Sequence, residues 1–413
     1  MPLNIQTYTL SNGLRVIQVP SPTRVAYCGF AIKAGTRHEA LHQQGMAHLV
    51  EHMIFKGTTH RKAWHILNRM ENVGGDLNAY TNKEEMVVYA AFMNEHTERA
   101  IELLTDIVFN STYPQHEMEK EVEVVVDEIL SYEDSPAELI YDDFEEMIFP
   151  NHPLGRNILG TPEKLRTYRT EDALAFTKQH YRPENMVMFV KGDVDFHRII
   201  RWAEKYTGGT TSSSTHSNTG KGTDIPLPPY RPQTLILHKE THQAHVVIGG
   251  RAYEANNRKR TILYLICNIL GGPGMNSRLN LALRERRGLV YNVECNMTGY
   301  TDTGLWSIYF GCDHEDVERC QKLVLHELAL LRDKRLTSSQ LDAAKKQIIG
   351  QIGVASDNFE NRALDMGKSF LHYNKFEDPA ALFERIRTIT ADDILEVANE
   401  MFTPAYISTL IYQ

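Results

Sequence analysis

Residues 208–222 read GGTTSSSTHSNTGKG, and residues 225–232 read IPLPPYRP. The first stretch has the composition of a flexible linker, and the second that of a stiff, extended spacer. The chain has 413 residues, whereas single hydrophobic cores stop growing at roughly 250–300 residues. The sequence therefore predicts a first domain over 1–207, a linker over 208–232 and a second domain over 233–413.

The two flanking halves repeat one another at an offset of 220 or 221 residues. Thr170-Glu-Asp-Ala-Leu, leading to Tyr181-Arg-Pro, returns as Thr390-Ala-Asp-Asp-Ile, leading to Phe402-Thr-Pro. A short match means little by itself, but a shared spacing indicates a duplicated domain.

Each half mixes strand-like and helix-like segments. Residues 87–92 and 305–310 are apolar, β-prone runs, whereas 98–109 and 316–331 have helical periodicity. The strands come in groups between helices and do not alternate strictly with them. We therefore expect an α+β fold of two homologous domains in tandem, each a mainly antiparallel β-sheet packed with α-helices.

Composition narrows the function and the compartment. The chain has 44 Lys and Arg against 53 Asp and Glu, a net charge of -9, which disfavours nucleic acid as a partner. Polar residues interrupt the apolar runs of the first twenty positions, so we expect no signal peptide and no membrane segment. Five scattered cysteines, with no C-x-x-C pair, suggest reduced thiols in the cytoplasm.

The segment Gly45–Gly57, GMAHLVEHMIFKG, contains the most informative motif. As a helix it places His48 and His52 on one face, four residues apart, with Glu51 beside them. Two imidazoles at this spacing can bind one Zn²⁺, and a carboxylate that is not a ligand can serve as a general base. The order is H-x-x-E-H. The competing interpretation is a histidine-rich amphipathic helix without a metal.

A catalytic zinc site needs a third protein ligand, and residues 115–132 offer candidates. Val122, Val125, Val126 and Ile129 predict a helix with one buried stripe. Glu121 and Glu128 lie at one edge of that stripe, and the periodicity also admits Glu117. Acidic residues at such an edge are usually solvated, so the spacing alone does not select the ligand.

With these motifs the chain resembles the pitrilysin-type (M16) zinc metallopeptidases, in particular the short two-domain members similar to bacterial processing-type peptidases and the mitochondrial processing peptidase β subunit. The resemblance covers essentially the whole chain. It implies one Zn²⁺ per chain held by His48, His52 and Glu128. It also implies Glu51 as the general base and Glu121 as a carboxylate that assists the catalytic centre without binding the metal.

The resemblance extends to substrate binding. Leu77-Asn-Ala-Tyr-Thr81 is similar to the family's edge strand, which implies that Asn78, Ala79 and Tyr80 hold a peptide as an added β-strand. Arg284 and Tyr291 are similar to an Arg and Tyr pair that contacts substrate in the family.

The second half is expected to bind and not to catalyse. Its counterpart of the motif places Leu263, Ile266 and Cys267 where His48, Glu51 and His52 stand. The sequence thus predicts a zinc-dependent endopeptidase of a bacterial cytoplasm that acts on peptides or unfolded segments. Because four such domains enclose the chamber of full-length relatives, we expect a homodimer, or a heterodimer with a related subunit. The alternative is a non-catalytic subunit that assists assembly or processing.

Overall fold

The structure is a computed structural model that describes residues 4–209 and 225–413. Most of the predicted linker, residues 210–224, lies outside the described residues. The fourteen α-helices of the described residues are α1 (Met46–Met53), α2 (Ala63–Glu71), α3 (Thr97–Asn110), α4 (Gln115–Glu133), α5 (Pro136–Ile148), α6 (Pro162–Leu165), α7 (Thr170–His180), α8 (Phe196–Thr207), α9 (Lys259–Gly271), α10 (Val317–Asp333), α11 (Ser338–Ala355), α12 (Phe359–Tyr373), α13 (Pro379–Thr388) and α14 (Ala391–Met401).

Two sheets organise the chain. The first has the strand order β1-β2-β6-β3-β5-β4 and the second has the order β7-β11-β8-β10-β9. The strands are β1 (Gln6–Thr9), β2 (Arg15–Pro20), β3 (Val25–Ile32), β4 (Asp76–Thr81), β5 (Met86–Met93), β6 (Met186–Gly192), β7 (Thr234–Leu237), β8 (Ala244–Ala252), β9 (Val290–Gly299), β10 (Gly304–Cys312) and β11 (Ser408–Tyr412).

The two sheets share one topology, which confirms the duplicated α+β fold. In the first sheet β2 pairs with β6 in parallel, and β6, β3, β5 and β4 follow with antiparallel pairing. In the second sheet β7 pairs with β11 in parallel, and β11, β8, β10 and β9 follow with antiparallel pairing. Only β1, an extra edge strand paired with β2, breaks the correspondence among the described strands.

The central strands bury both faces. On β5, Val88 and Phe92 belong to one apolar cluster, whereas Val87 and Tyr89 belong to another. Successive side chains of a strand point to opposite faces of the sheet, so the near-continuous apolar run of β5 reports a sheet covered on both sides.

The two compact units do not coincide with the two halves of the sequence. One unit comprises Met1–Ser131, Arg156–Pro226 and Asn358–Asp378, and the other comprises Tyr132–Gly155, Leu227–Asp357 and Pro379–Gln413. The division near residue 226 falls within the predicted linker. The predicted boundaries 1–207 and 233–413 place α5 in the first domain and α12 in the second, whereas each of these two helices belongs to the other compact unit.

Each exchanged helix covers the second face of a sheet. On α12, Ala363, Met366, Phe370 and Leu371 form a stripe at helical spacing and pack on the first sheet. Burying each large apolar side chain contributes about 1.5–3 kcal/mol. A hydrogen bond such as that from Arg15 Nη1 to the Phe370 carbonyl, at 3.0 Å, contributes about 1 kcal/mol. Apolar burial therefore decides where α12 lies.

Helix α5 has the same role in the second unit. Its stripe of Ile140, Phe144, Met147 and Ile148 packs against a cluster of the second sheet that includes Val247 and Leu410. The Tyr412 hydroxyl also donates to Asp143 Oδ2 at 2.6 Å. Within the described ranges, no helix combines the length and the apolar character that crossing a membrane requires.

The packing of α12 on the first sheet can be tested at Gly367. A Cβ there would lie 2.4 Å from Phe189 Cδ1, and the Phe189 ring cannot retreat because its Cζ lies 2.5 Å from where a Cβ of Gly29 would be. We expect Gly367→Ala to lower the free energy of unfolding by about 1–3 kcal/mol through overpacking, measured by urea denaturation.

The matched control is Gly350→Ala in α11, where an added Cβ meets nothing within 4 Å. Alanine is favoured over glycine in a helix by about 1 kcal/mol, so this variant should be slightly more stable. Equal stabilisation by both substitutions would contradict the docking of α12 described above.

Candidate metal centre

Helix α1 carries the H-x-x-E-H motif and is anchored in the core of the first unit. Met46, Leu49, Val50 and Met53 are fully buried, so only one strip of this short helix faces away from the core. The helix begins at Gly45, whose φ of 79° suits glycine. A side chain there would also collide with the Leu159 carbonyl, since a Cβ would lie 2.7 Å from that oxygen.

A buried carboxylate that the sequence did not single out holds the start of α1. Glu39 is fully buried and accepts hydrogen bonds from the main-chain N–H of Gly45 at 3.1 Å and of Ala47 at 2.8 Å. Burial raises the pKa of Glu39 to about 8, although both N–H groups and Arg156 oppose the shift. A carboxylate at this end of a helix satisfies unpaired N–H groups, so Glu39 fixes the position of α1.

The two histidines of α1 and Glu128 of α4 converge. The ring centroids of His48 and His52 are 4.7 Å apart. Glu128 Oε2 lies 3.7 Å from His48 Nε2 and 3.5 Å from His52 Nε2. Among the residues that the structure describes, these three form the one group of at least three His, Cys, Asp or Glu side chains close enough to share an ion.

These distances suit zinc. With bonds of about 2.0–2.2 Å, a tetrahedral zinc ion separates its donor atoms by about 3.3–3.6 Å. The His52–Glu128 distance falls inside this range and the His48–Glu128 distance lies 0.1 Å above it. Two imidazoles and one carboxylate also form a donor set that occurs in catalytic zinc sites, whereas structural sites use four protein ligands. The Glu128 side chain is 35% exposed, so the centre opens to solvent.

The surroundings favour the neutral form of His48 that a metal requires. Burial, and secondarily the neighbouring His52, lower the pKa of His48 to about 3. The ring is thus uncharged at neutral pH, so metal binding would not first have to remove a proton from an imidazolium.

Glu121 lies behind the ligands and orients one of them. Its Oε2 is 3.3 Å from His52 Nδ1, and its Oε1 is 2.5 Å from Lys56 Nζ. A histidine that donates from Nδ1 to a carboxylate presents Nε2 to a metal. Lys56, which sequence reasoning missed, lies four residues after His52, and that spacing could have identified it.

Glu51 lies beside Thr81, the last residue of strand β4. Burial raises its pKa, while the side chain and main chain of Thr81 oppose the shift. The charges of His52 and Glu128 also act on it, which places the Glu51 carboxylate beside the ligands.

Strand β4 presents a free edge. It lies at the end of the first sheet and, among the described strands, pairs with β5 alone. The Ala79 N–H is held by the side chain of its neighbour, Asn78 Oδ1, at 2.9 Å, so it faces away from β5. The Tyr80 side chain packs on the other face of the sheet, with the cluster under α12. The first sheet therefore ends at the strand that carries Asn78, Ala79 and Tyr80.

Arg284 and Tyr291 both belong to the second unit. Arg284 lies in a short π-helix, Asn280–Glu285, and Tyr291 lies on β9. The Arg284 guanidinium is 5.7 Å from the centroid of the Tyr291 ring, and Tyr291 is 84% exposed. The two side chains thus form one exposed pair.

The second unit has no equivalent of the ligand set. Helix α9 carries Leu263, Ile266 and Cys267, all buried. Two aliphatic groups and one thiol cannot replace two imidazoles and a carboxylate.

Two family models match consecutive parts of the chain. The model of the insulinase family, peptidase family M16, matches residues 15–162. The model of the M16 peptidase inactive domain matches residues 168–348.

Relatives resemble the chain over its whole length. A protein of Bacillus subtilis named as an uncharacterized zinc protease, YmxG, is 31% identical over 98% of both chains. Another of that name from Rickettsia bellii is 30% identical over 100% of this chain and 98% of its own. Two solved structures share the fold, each with a TM-score of 0.90. A protease from Helicobacter pylori is 22% identical, and the match covers 100% of both chains. A peptidase M16 inactive domain from Pseudomonas fluorescens is 18% identical, and the match covers 99% of this chain and 98% of that one.

The support that Glu121 gives to His52 can be tested directly. We expect Glu121→Gln to weaken zinc binding by about 10- to 100-fold, because carboxylate partners of metal-bound histidines typically contribute this much. Competition with a chromogenic chelator measures the affinity. The control is Glu123→Gln on the same helix, whose exposed side chain pairs with Arg166. Equal affinities for the two variants would show that Glu121 does not support the site.

Proposed function

The chain belongs to the M16 peptidase family, and from that premise we propose that it is a zinc-dependent endopeptidase acting on peptides or unfolded protein segments. The observation that carries the proposal is the convergence of His48, His52 and Glu128 with Glu51 beside them. His48, His52 and Glu128 would hold one zinc ion per chain. Such an ion, when bound, lowers the pKa of water and polarises a carbonyl group.

Glu51 is the proposed general base. It would take a proton from the attacking water and pass it to the leaving amine, a role for which a carboxylate with a raised pKa is suited. Its interaction with Thr81 of β4, the strand that would hold the substrate, supports this role. Glu121 would keep the His52 ring oriented from behind.

The proposed substrate is an extended peptide added to β4. Main-chain hydrogen bonds at Asn78, Ala79 and Tyr80 would give affinity with little demand on sequence. Folded proteins offer few free strands, so this mode favours peptides and unfolded segments. Arg284 and Tyr291 are proposed as further substrate contacts, because a guanidinium can bind a peptide carbonyl and a phenol can donate to a developing oxyanion.

Localisation in a bacterial cytoplasm is part of the proposal. The five cysteines are free, as expected in a reducing compartment, and the relatives described above are bacterial.

Replacing Glu51 separates metal binding from catalysis. We expect Glu51→Gln to keep the zinc content of the wild type and to lose about 10²- to 10⁴-fold in turnover on a mixed peptide library, the usual contribution of a general base. Glu119→Gln, an exposed carboxylate on α4, is the control and should cleave normally. Cleavage by Glu51→Gln at the wild-type rate would remove Glu51 from the mechanism. If the zinc-loaded wild type cleaved no peptide, the alternative function would be favoured, that of a non-catalytic subunit that assists assembly or processing.

We further propose that the chain forms a homodimer, or a heterodimer with a related subunit, in which Arg284 and Tyr291 serve the zinc site of the partner. The exposure of Tyr291 supports this proposal, since a side chain that contacts a partner's substrate must be accessible.

Mixing two inactive chains tests this arrangement. His48→Ala removes a ligand and Arg284→Ala removes a substrate contact, so a heterodimer of the two would retain one intact site. We expect partial recovery of peptidase activity. If each site needs His48 from one chain and Arg284 from its partner, random pairing of equal amounts makes about one site in four complete, so the activity should reach about one quarter of wild type. No recovery in heterodimers verified by mass spectrometry would indicate that each chain serves its own site.

A further inference from the structure

A cavity of about 440 Å³ in the first unit has walls of unusual composition. It lies among the loop after α1, helix α2 and the start of α3. The described residues that line it are three arginines, two histidines, two asparagines and one tryptophan, and none of these is acidic. None belongs to the metal centre. We refer to it as the arginine cavity.

Two of its guanidinium groups are held in place from behind. Arg61 Nη1 donates to Asp106 Oδ2 at 2.6 Å and Arg61 also pairs with Glu102. Arg69 Nη2 donates to Glu102 Oε2 at 3.0 Å. The Asp106 and Glu102 side chains are only 5% and 19% exposed. Carboxylates in this position fix the orientation of the arginines before a ligand binds. This lowers the entropy cost of ordering their side chains on binding.

Arg99 gives the cavity an uncompensated charge. Its Nη1 donates to the Arg69 carbonyl at 3.0 Å, and within the described part of the chain it forms no ion pair with a carboxylate. Three arginines thus face two carboxylates. In a chain with a net charge of -9, a local excess of positive charge attracts anions within about a Debye length, roughly 8–10 Å. The remaining N–H groups suit an acceptor with several oxygens.

Trp64 adds a flat apolar surface to this wall. It is 60% exposed, and the His65 ring lies 3.8 Å from it, centroid to centroid, with the planes 33° apart. An exposed indole beside cationic groups is suited to stack on a planar ring. Tying the loop to α3 accounts for the ion pairs of Arg61. It explains neither the lack of a carboxylate partner for Arg99 among the described residues nor the exposure of Trp64.

We propose that the arginine cavity binds a phosphate-bearing ligand, with the phosphate oxygens on Arg69 and Arg99. Two sources share this chemistry, free inorganic phosphate and a nucleotide whose base stacks on Trp64. The site is independent of the proposed peptidase activity, because it uses none of the residues assigned to that reaction.

Isothermal titration of the full, zinc-loaded chain with inorganic phosphate and with AMP tests the proposal. We expect both to bind, and we expect Arg99→Gln to weaken both by about tenfold or more, as for the loss of a hydrogen bond to a charged group. The matched control is Arg166→Gln, an exposed arginine of the same unit that pairs with Glu123; it should bind as the wild type does. Zinc content and melting temperature verify that each variant is folded.

The two ligand sources are distinguished at Trp64. Stacking of a base increases affinity by about 5- to 150-fold. If the site binds nucleotides, AMP should therefore bind more tightly than phosphate by this factor. Trp64→Ala should remove that difference. Equal binding of AMP and phosphate, with no effect of Trp64→Ala, identifies free phosphate as the ligand.

Two results would overturn the proposal. One is the absence of binding of either probe. The other is binding that Arg99→Gln leaves unchanged, which is also the result expected if phosphate bound only to the zinc ion. If Arg99→Gln proves unstable, Arg99→Lys replaces it, and intermediate affinity is then expected because the charge remains while the planar set of donors is lost.

Discussion

The candidate metal centre depends on how the short helix α1 is positioned relative to Glu128, a carboxylate that is distant in sequence. Helix α1 supplies both imidazoles and Glu51, whereas Glu128 comes from α4, and the donor atoms lie 3.5–3.7 Å apart. A slip of a single residue along either helix moves a side chain by 1.5 Å along the axis and by about 100° around it. The buried apolar faces of both helices in one core, together with Glu39 at the start of α1, prevent such a slip.

Local pattern identified the parts of the centre that lie within one element. The four-residue spacing of His48 and His52 needs only a helix, and the buried stripe of α4 was visible from its valines. Helical periodicity could not decide which of Glu117, Glu121 and Glu128 is the third ligand, because all three lie near the same edge of the stripe. Resemblance to a family selected Glu128, and the structure places it beside both histidines. Glu39 was missed because nothing in the sequence shows that a glutamate is buried.

The exchange of α5 and α12 between the two compact units could not be predicted from the sequence either, for a different physical reason. An apolar stripe such as that of Ala363, Met366 and Phe370 predicts that a helix is buried on one side, but it carries no information about which sheet it covers. The apolar runs at 87–92 and 305–310 predicted strands, but they did not show that both faces of a sheet would be covered. They could not show that the cover comes from the other half of the chain.

That exchange has a consequence for synthesis. The second face of the first sheet, with Val87, Val187 and Phe189, is complete only when residues 359–373 have left the ribosome, although the last strand of that sheet ends at Gly192. A nascent chain therefore carries an uncovered apolar sheet while most of the second half is translated. A gene cut at the linker would encode a first fragment with the same bare surface, so the two halves of the duplication can no longer be separated into self-sufficient proteins.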